Sequence, residues 1–579
     1  MYESLVDMLR TRAADQGSDL AFWYLLDGED DVVDITFASL DRDSRAVAAR
    51  LAEVGSPGDR VVILMAPGPD FLAAYFGCLY AGMIAVPAFL PDVINVDRSV
   101  PRLRAIAQDA EAVCILSDEL FVTFREHLWN LAPDLARTPW VSIEDAVAHG
   151  DDEAWSDPMV ALDTTAFIQS TSGSTSLPKG VMLSHGNLLA NCELIRNSCA
   201  QDDRFVGVSW LPPYHDMGLI GGILTPVYLG RPLALFSPMD FLAKPLRWLR
   251  ALTKYRATFS GAPNFAFELC VRRVSEEDRR DLDLSNLESI YNGAEPIRPS
   301  TLERFTEAFA PCGYRSSAMR PCYGMAEATL FVTSADEPGA EVIVTAFDRA
   351  GLAEGFARAP VDGDPSESLV ACGAPAAVQD VRIVDPESLE QLDEGSIGEI
   401  WIAGPSVGQG YWGRRRQTNE AFDARTKAGD GPFLRTGDLG FFHHGQLYVA
   451  GRIKDILIVR GRNLYPQDLE LVAESVPGVR AGCVAAFAVA DVDGSTDGVA
   501  IVAEVNEAAI GDPVIAAQAV RAAIVEHYQV APTEVVFITP RSLPKTSSGK
   551  IQRHAAKRLF EEEALDRLGV ADPGSPPVG

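Results

Sequence analysis

The sequence predicts an α/β fold with layered, largely parallel sheets, followed by a smaller α+β unit. Three observations carry that reading. Short apolar runs alternate with helical patterns over the first three quarters of the chain. The uncharged stretch from Phe71 to Pro91 is interrupted by glycine and proline, as a buried βαβ crossover would be. And 579 residues with 47% apolar content exceed one hydrophobic core but can fill two.

The elements follow in order. Val61-Val-Ile-Leu-Met65 reads as a strand, Pro67-Gly-Pro69 as a turn, Asp70–Gly82 as a buried helix and Met83–Ala88 as the returning strand. Gly77, Gly82, Pro87 and Pro91 argue against a membrane span. Ala112–Leu116, Phe205–Trp210, Leu233–Phe236 and Ser289–Asn292 are further strand patterns. A short strand at Val181–Leu183 leads to a helix over Asn187–Cys199, with Ser184 as its N-cap. Composition shifts at 345–370, which reads as an inserted surface excursion. Leu439–Gly451 has a hairpin pattern turning at His443-His-Gly-Gln446, and Arg452-Ile-Lys-Asp455 reads as a connector. Beyond it lie strands Cys483–Val489, Val499–Val505 and Val535–Ile538, with a helix over Pro513–Tyr528. The expected division is 1–451, a hinge at 452–455, a mobile unit at 456–570 and a disordered tail at 571–579.

Composition limits the partners. The net charge of −31 argues against nucleic acid and anionic membranes, so any phosphate must be held in a local pocket. None of the nine cysteines forms a C-x-x-C pair, which suggests buried free thiols in a reducing cytoplasm. The N-terminal residues carry early acids and no apolar signal segment. A cytoplasmic monomer is expected.

The most telling segment is Thr171-Ser-Gly-Ser-Thr-Ser-Leu-Pro-Lys-Gly180. It crowds hydroxyls, glycines and one lysine into ten residues. Hydroxyls and exposed N–H groups can wrap phosphate oxygens, and Lys179 adds a cation. The spacing is not that of a Walker A loop. Gly408-Gln-Gly-Tyr-Trp-Gly413 formally fits a dinucleotide fingerprint, but the strand before it ends too early, and it reads as structural. Lys545, Lys550 and Arg553 are placed at the start of a last helix over Ile551–Glu563. Cations there oppose the helix dipole, which points to an anionic ligand.

The Thr171–Gly180 segment resembles the phosphate loop of the adenylate-forming superfamily of acyl-CoA synthetases, nonribosomal adenylation domains and luciferases. Trp210-Leu-Pro-Pro-Tyr-His-Asp-Met-Gly218, Asn292-Gly-Ala-Glu-Pro296, Cys322-Tyr-Gly-Met-Ala-Glu327, Arg435-Thr-Gly-Asp-Leu439, Gly451-Arg-Ile-Lys-Asp455 and Pro544-Lys-Thr-Ser-Ser-Gly-Lys-Ile-Gln-Arg553 match the superfamily in the same order. The resemblance implies ATP and Mg²⁺ as cofactors. It implies nucleotide contacts from Thr171, Ser172, Gly173, Ser174, Thr175, Lys179, Gly293, Ala294, Glu295, Tyr323, Gly324, Met325, Ala326, Asp438 and Arg452. It makes Tyr323 the adenine face, Glu327 the Mg²⁺ ligand, Asp438 the ribose acceptor, Lys550 the catalytic lysine and Lys454 the hinge. His215 would border the acyl pocket and acceptor tunnel, and Trp210, Gly261 and Phe265 would shape the acyl pocket. Two departures stand out. Ser176 replaces a common glycine, and Ala326 replaces a common threonine, whose hydroxyl Thr329 or the main chain would have to supply.

Gly461-Arg-Asn-Leu-Tyr-Pro-Gln-Asp-Leu-Glu470, Ala326-Glu-Ala-Thr-Leu-Phe-Val332 and the 345–370 excursion closing in Leu369-Val-Ala-Cys-Gly-Ala-Pro375 resemble the fatty acyl-AMP ligase branch. That branch makes fatty acyl-adenylates and passes the acyl group to the phosphopantetheine of an acyl carrier protein serving a polyketide or nonribosomal synthase. Its insertion is held to restrain the domain movement needed for ligation to CoA. The alternatives are an acyl-CoA synthetase and a catalytically dead adenylate binder; intact Lys550, Glu327 and Asp438 argue against the latter.

Overall fold

The computed structural model describes residues 2–89, 96–119, 121–123, 125, 132–171, 179–199, 203–335, 339–376, 378–459, 462–490, 497–546 and 549–568. A seven-stranded sheet runs in the spatial order Gly410–Tyr411, Lys179–Ser184, Thr165–Thr171, Ile84–Pro87, Arg60–Leu64, Cys114–Ser117, Trp140–Ser142. The expected βαβ unit is present, with Val61 opposite Ala85 in parallel register. Its helix, Pro69–Tyr80, has proline in its first turn and buries every residue from Phe71 to Tyr80. The helix stops before Gly82, which takes a left-handed φ of 67°. Among the described residues no helix is long and apolar enough to cross a membrane.

A nine-stranded sheet runs in the order Ala374–Pro375, Phe331–Ser334, Met319–Gly324, Ser289–Gly293, Phe259–Pro263, Gly207–Ser209, Leu233–Phe236, Leu20–Leu25, Val32–Thr36. Its central strands are parallel, so Pro263, Gly293 and Gly324 end on one edge. Open α/β sheets bind ligands at such carboxyl ends. Helix His185–Cys199 starts two residues earlier than expected, and Ser184 Oγ accepts from the Asn187 amide at 3.1 Å.

An antiparallel four-stranded sheet follows: Asp380–Val384, Gly398–Ala403, Leu434–His443 and Gln446–Arg452. Its last two strands form the predicted hairpin, turned by His444 at φ 51° and Gly445 at φ 74°. The C-terminal unit pairs Val479–Ala490, Asp497–Val505 and Glu534–Ile538, with helices Pro466–Glu474 and Pro513–Tyr528 on one face. Val484, Ile501, Val520 and Phe537 form the centre of its core.

Two expectations are corrected. The last helix is Arg553–Glu561, not Ile551–Glu563. Before it the chain closes a turn in which the Thr546 amide donates to the Lys550 carbonyl at 2.7 Å and Lys545 bridges Ile551. Lys545 and Lys550 therefore do not face a helix dipole. Arg553 does, and it is neutralised internally by Glu470 at 2.7 Å and Asp455 at 2.9 Å.

The 345–370 segment is also more than a surface excursion. Val344–Asp348 and Ser366–Val370 form a hairpin carrying helix Arg349–Glu354. Phe347 is buried against Phe441 and Tyr448, with ring centroids 5.1 and 5.3 Å away. Its other side grips the C-terminal unit. Arg349 donates to the His527 carbonyl at 2.8 Å, and its guanidinium lies 4.9 Å from the centre of the Tyr528 ring. Glu367 and Asp468 hydrogen-bond each other there, near Arg349, Glu470, Tyr465 and Tyr528. Loss of water pushes both carboxyls up. Asp468 rises well above the ordinary range, because the Glu367 charge adds to its burial.

A group whose folded pKa is raised stabilises the fold fully at low pH and loses that contribution as pH rises through its folded value. Thermal stability of the wild type is therefore expected to fall more steeply than that of Asp468→Asn above the ordinary carboxyl range. Asparagine keeps a donor without needing a proton. Parallel melting profiles from pH 5 to 8 would show that the pair holds no such proton.

Candidate functional site

A cavity of about 1640 Å³ opens where the strand ends of the two large sheets meet the C-terminal unit. Gly261, Gly293, Ala294, Tyr323, Gly324, Met325, Ala326, Glu327, His215, Thr171, Lys179, Arg452, Lys454 and Lys550 all border it. Motifs more than three hundred residues apart in the chain thus share one space. Ser172, Gly173, Ser174, Thr175 and Ser176 lie outside the described residues.

Strand Met319–Gly324 carries Tyr323 to the rim. Its hydroxyl donates to Asp438 Oδ2 at 2.8 Å, and Arg452 Nε donates to Asp438 Oδ1 at 3.0 Å. Asp438 is buried just behind the cavity wall made by Thr436 and Gly437. Each of its oxygens keeps a spare lone pair. Glycine is required at 324, where a Cβ would fall 1.8 Å from the Leu330 carbonyl oxygen. That carbonyl accepts from the Met325 amide at 2.9 Å and tightens the turn into Glu327. Ala294 adopts a left-handed φ of 68°, a strained conformation for an L-residue, at the mouth of the Ser289–Gly293 strand.

Glu327 accepts from the Tyr411 hydroxyl at 3.0 Å. Burial pushes its carboxyl up, while that hydrogen bond and Arg452 hold it down. Lys179 Nζ lies 4.7 Å from the centre of the Tyr411 ring. Burial and the Lys454 charge lower its pKa, and Glu327 opposes them. His215 Nδ1 sits 2.6 Å from Asp216 Oδ1. Burial would raise the Asp216 carboxyl, but His215 and Lys550 outweigh it and the net direction is down. Glu295 accepts from the Phe265 amide at 2.5 Å, and burial pushes its carboxyl up. Lys550 is the cation among these acids. Burial and Arg452 lower its pKa; Asp216, Glu295 and Asp438 pull the other way.

Three expectations change. Trp210 does not border the cavity; it is 3% exposed and stacks on Phe241 at 3.8 Å in the adjacent core. Phe265 packs edge-on against Trp210 at 6.3 Å and is likewise not part of the wall. Thr329 cannot replace the hydroxyl missing at Ala326, because it is fully buried and donates to the Ser406 carbonyl at 2.5 Å. Tyr411 went unnoticed in the sequence. It sits in the glycine-rich Gly408–Gly413 segment, whose strand Gly410–Tyr411 edges the seven-stranded sheet. Asp216, beside His215, was also missed. Its signal was a charged residue directly before an apolar, glycine-containing run.

Residues 9–412 match the family described as AMP-binding enzyme. The chain belongs to the AMP-binding enzyme family. Among its relatives, the medium-chain-fatty-acid–acyl-carrier-protein ligase JamA of Moorena producens (strain JHB) is 39% identical, over 98% of this chain and 96% of the relative. The long-chain-fatty-acid–AMP ligase FadD26 of Mycobacterium tuberculosis (strain H37Rv) is 37% identical over 98% of this chain and 99% of the relative. The crystal structure of a fatty acid AMP ligase from Legionella pneumophila superposes with a TM-score of 0.75 at 37% identity, covering 97% of both chains. In this AMP-binding enzyme, as in that neighbour, a large N-terminal α/β body is followed by a small C-terminal unit.

The Tyr411–Glu327 bond has a readable consequence. Tyr411→Phe removes a donor that favours the charged carboxylate, so the Glu327 carboxyl should rise further. The acid limb of the enzyme's kcat/KM profile is expected to move to higher pH. An unmoved limb, with folding intact, would show that Glu327 does not govern it.

Proposed function

We propose that this enzyme activates a fatty acid with ATP, forming an acyl-adenylate and pyrophosphate, and then passes the acyl group to the phosphopantetheine thiol of an acyl carrier protein. The observation that carries the reading is Lys550. This lysine of the C-terminal unit sits in the same cavity as Tyr323, Glu327 and Lys179 of the large body. The names of JamA and FadD26 support the substrate class and the carrier acceptor.

The chemistry follows from charge. A carboxylate and a triphosphate repel each other, so the site must neutralise both and hold them in line. The carboxylate oxygen attacks the α-phosphorus, an O–P bond forms and the bond to the departing pyrophosphate breaks. Lys550 bridges the attacking carboxylate and the α-phosphate. The incoming anions favour its protonated form, which offsets the effect of burial. Lys179 and the hydroxyl loop meet the outer phosphates. Asp438 accepts from the ribose hydroxyls through its spare lone pairs, steadied by Arg452.

Glu327 fits as the protein's carboxylate for Mg²⁺. One of its oxygens is held by Tyr411, and no cluster of three metal-ligating side chains exists among the described residues. An ion held by one carboxylate, waters and phosphates is the ordinary Mg²⁺ arrangement. Bound there, it would neutralise charge on the leaving phosphates. The C-terminal unit then turns about Lys454 and makes way for the carrier's thiol, which attacks the acyl carbonyl and expels AMP.

Lys550→Ala should reduce acyl-adenylate formation by roughly a hundredfold or more, the scale of losing one preorganised charge partner, with ATP binding still measurable. Adenylate yield equal to wild type would overturn the assignment. Offered CoA and holo carrier protein separately, the enzyme should load the carrier and leave CoA largely unacylated. Efficient acyl-CoA formation would favour the synthetase reading instead.

A further inference from the structure

One wall of the cavity carries two adjacent residues without side chains, Gly221 and Gly222. Met217–Leu224 is wound as a π-helix, with the Thr225 amide and hydroxyl both donating to the Ile220 carbonyl. π-turns concentrate at functional sites. Here the wide turn brings Gly221 and Gly222 to the cavity. The two are not equivalent. A Cβ at Gly222 would meet Ser209 Oγ at 3.0 Å, so that position backs onto the Gly207–Ser209 strand. A Cβ at Gly261 would meet Met217 Cε at 3.0 Å. A Cβ at Gly221 would meet only Leu330 Cδ2, at 3.8 Å, and otherwise points into open cavity.

The wall shared by Phe259, Tyr291 and Phe331 is rigid. The Tyr291 hydroxyl donates to Ser198 Oγ at 2.9 Å, which anchors the ring to helix His185–Cys199. Its ring centroid lies 5.6 Å from that of Phe259 and 5.9 Å from that of Phe331. With the hydroxyl committed to Ser198, these rings offer an apolar surface suited to a hydrocarbon end. Tightly packed aromatic walls yield little to extra volume. Chain length must then be governed by whatever space the opposite wall leaves.

We propose that Gly221 is the residue that sets acyl chain length: the distal methylenes pass over its bare Cα toward the Phe259–Tyr291–Phe331 wall. This rests on the fatty-acid reading above. The substrate class it specifies is an unbranched alkyl carboxylate with an apolar terminus. A Cβ at 221 stays in ordinary contact with Leu330 alone, so a side chain there grows into the channel, excluding long chains and sparing short ones.

The test compares wild type, Gly221→Ala and Gly221→Leu with hexanoate, decanoate and palmitate, reading ATP-dependent acyl-adenylate formation. Melting temperature and ATP KM serve as folding controls. Gly221→Leu should keep kcat/KM for the shortest acid within about threefold and lose at least about tenfold with the longest acid the wild type accepts, the scale of a misfitted methylene in an apolar pocket. Gly221→Ala should show the same trend more weakly, and it keeps the test valid if leucine prevents folding. Equal losses at all lengths, or no change at any length, would overturn the role of Gly221 alone. A wild type that forms no adenylate from any of these acids would overturn the fatty-acid reading itself.

Discussion

The Asp438 carboxylate ties the end of a parallel strand in the nine-stranded sheet to the hairpin that leads into the connector. One oxygen takes the Tyr323 hydroxyl from the end of a parallel strand, and the other takes the Arg452 guanidinium at the start of the connector. The carboxylate itself lies in the Leu434–His443 strand of the antiparallel sheet, opposite Arg452 in its register. If any of the three moves, a buried charge loses its partner, a change that costs several kcal/mol in typical proteins. The cavity's shape therefore depends on this triad. It fixes the rim of the nine-stranded sheet against the connector from which the C-terminal unit, and with it Lys550, is suspended.

A chain with 81 acidic and 50 basic side chains would repel a triphosphate at long range. The site answers locally. Lys179, Arg452, Lys454 and Lys550 all border the same cavity. Of these, Arg452 is ion-paired with Asp438, and Lys550 has Asp216, Glu295 and Asp438 as its nearby acids. Cations held by carboxylates in this way are positioned before a ligand arrives, which reduces the reorganisation that binding demands.

Much of this was legible in the sequence. Parallel strands buried on both faces read as plain apolar runs, and Val61–Met65, Leu233–Phe236 and Ser289–Asn292 were found within a residue or two. The motif residues were legible because hydroxyl, glycine and charge occur there without the periodicity of a core. What failed had physical reasons. The last helix was started too early because the turn closed by Thr546 and Lys550 is set by two hydrogen bonds, which leave no hydropathy signal. The family resemblance puts Trp210 in the acyl pocket, but a sequence does not show to which side a buried tryptophan turns; its stacking on Phe241 decides the side. The 345–370 segment looks polar in sequence because its buried apolar residues are few and scattered, Phe347, Leu352 and Val370. Tyr411 was hidden by its glycine neighbours, whose spacing drew attention to the backbone instead.

The contact between Glu367 and Asp468 couples position to proton count. While helix Pro466–Glu474 rests on the hairpin, burial and its neighbour's charge push the Asp468 carboxyl up, and burial pushes Glu367 up with it. Any motion that lifts this helix off the hairpin brings both carboxyls into water, where at neutral pH each is ionised. Departure of the C-terminal unit would then lower the proton affinity of both carboxyls, and its return would raise it again. The balance between docked and undocked forms would thus track the acidity of the medium, through groups that never touch the substrate.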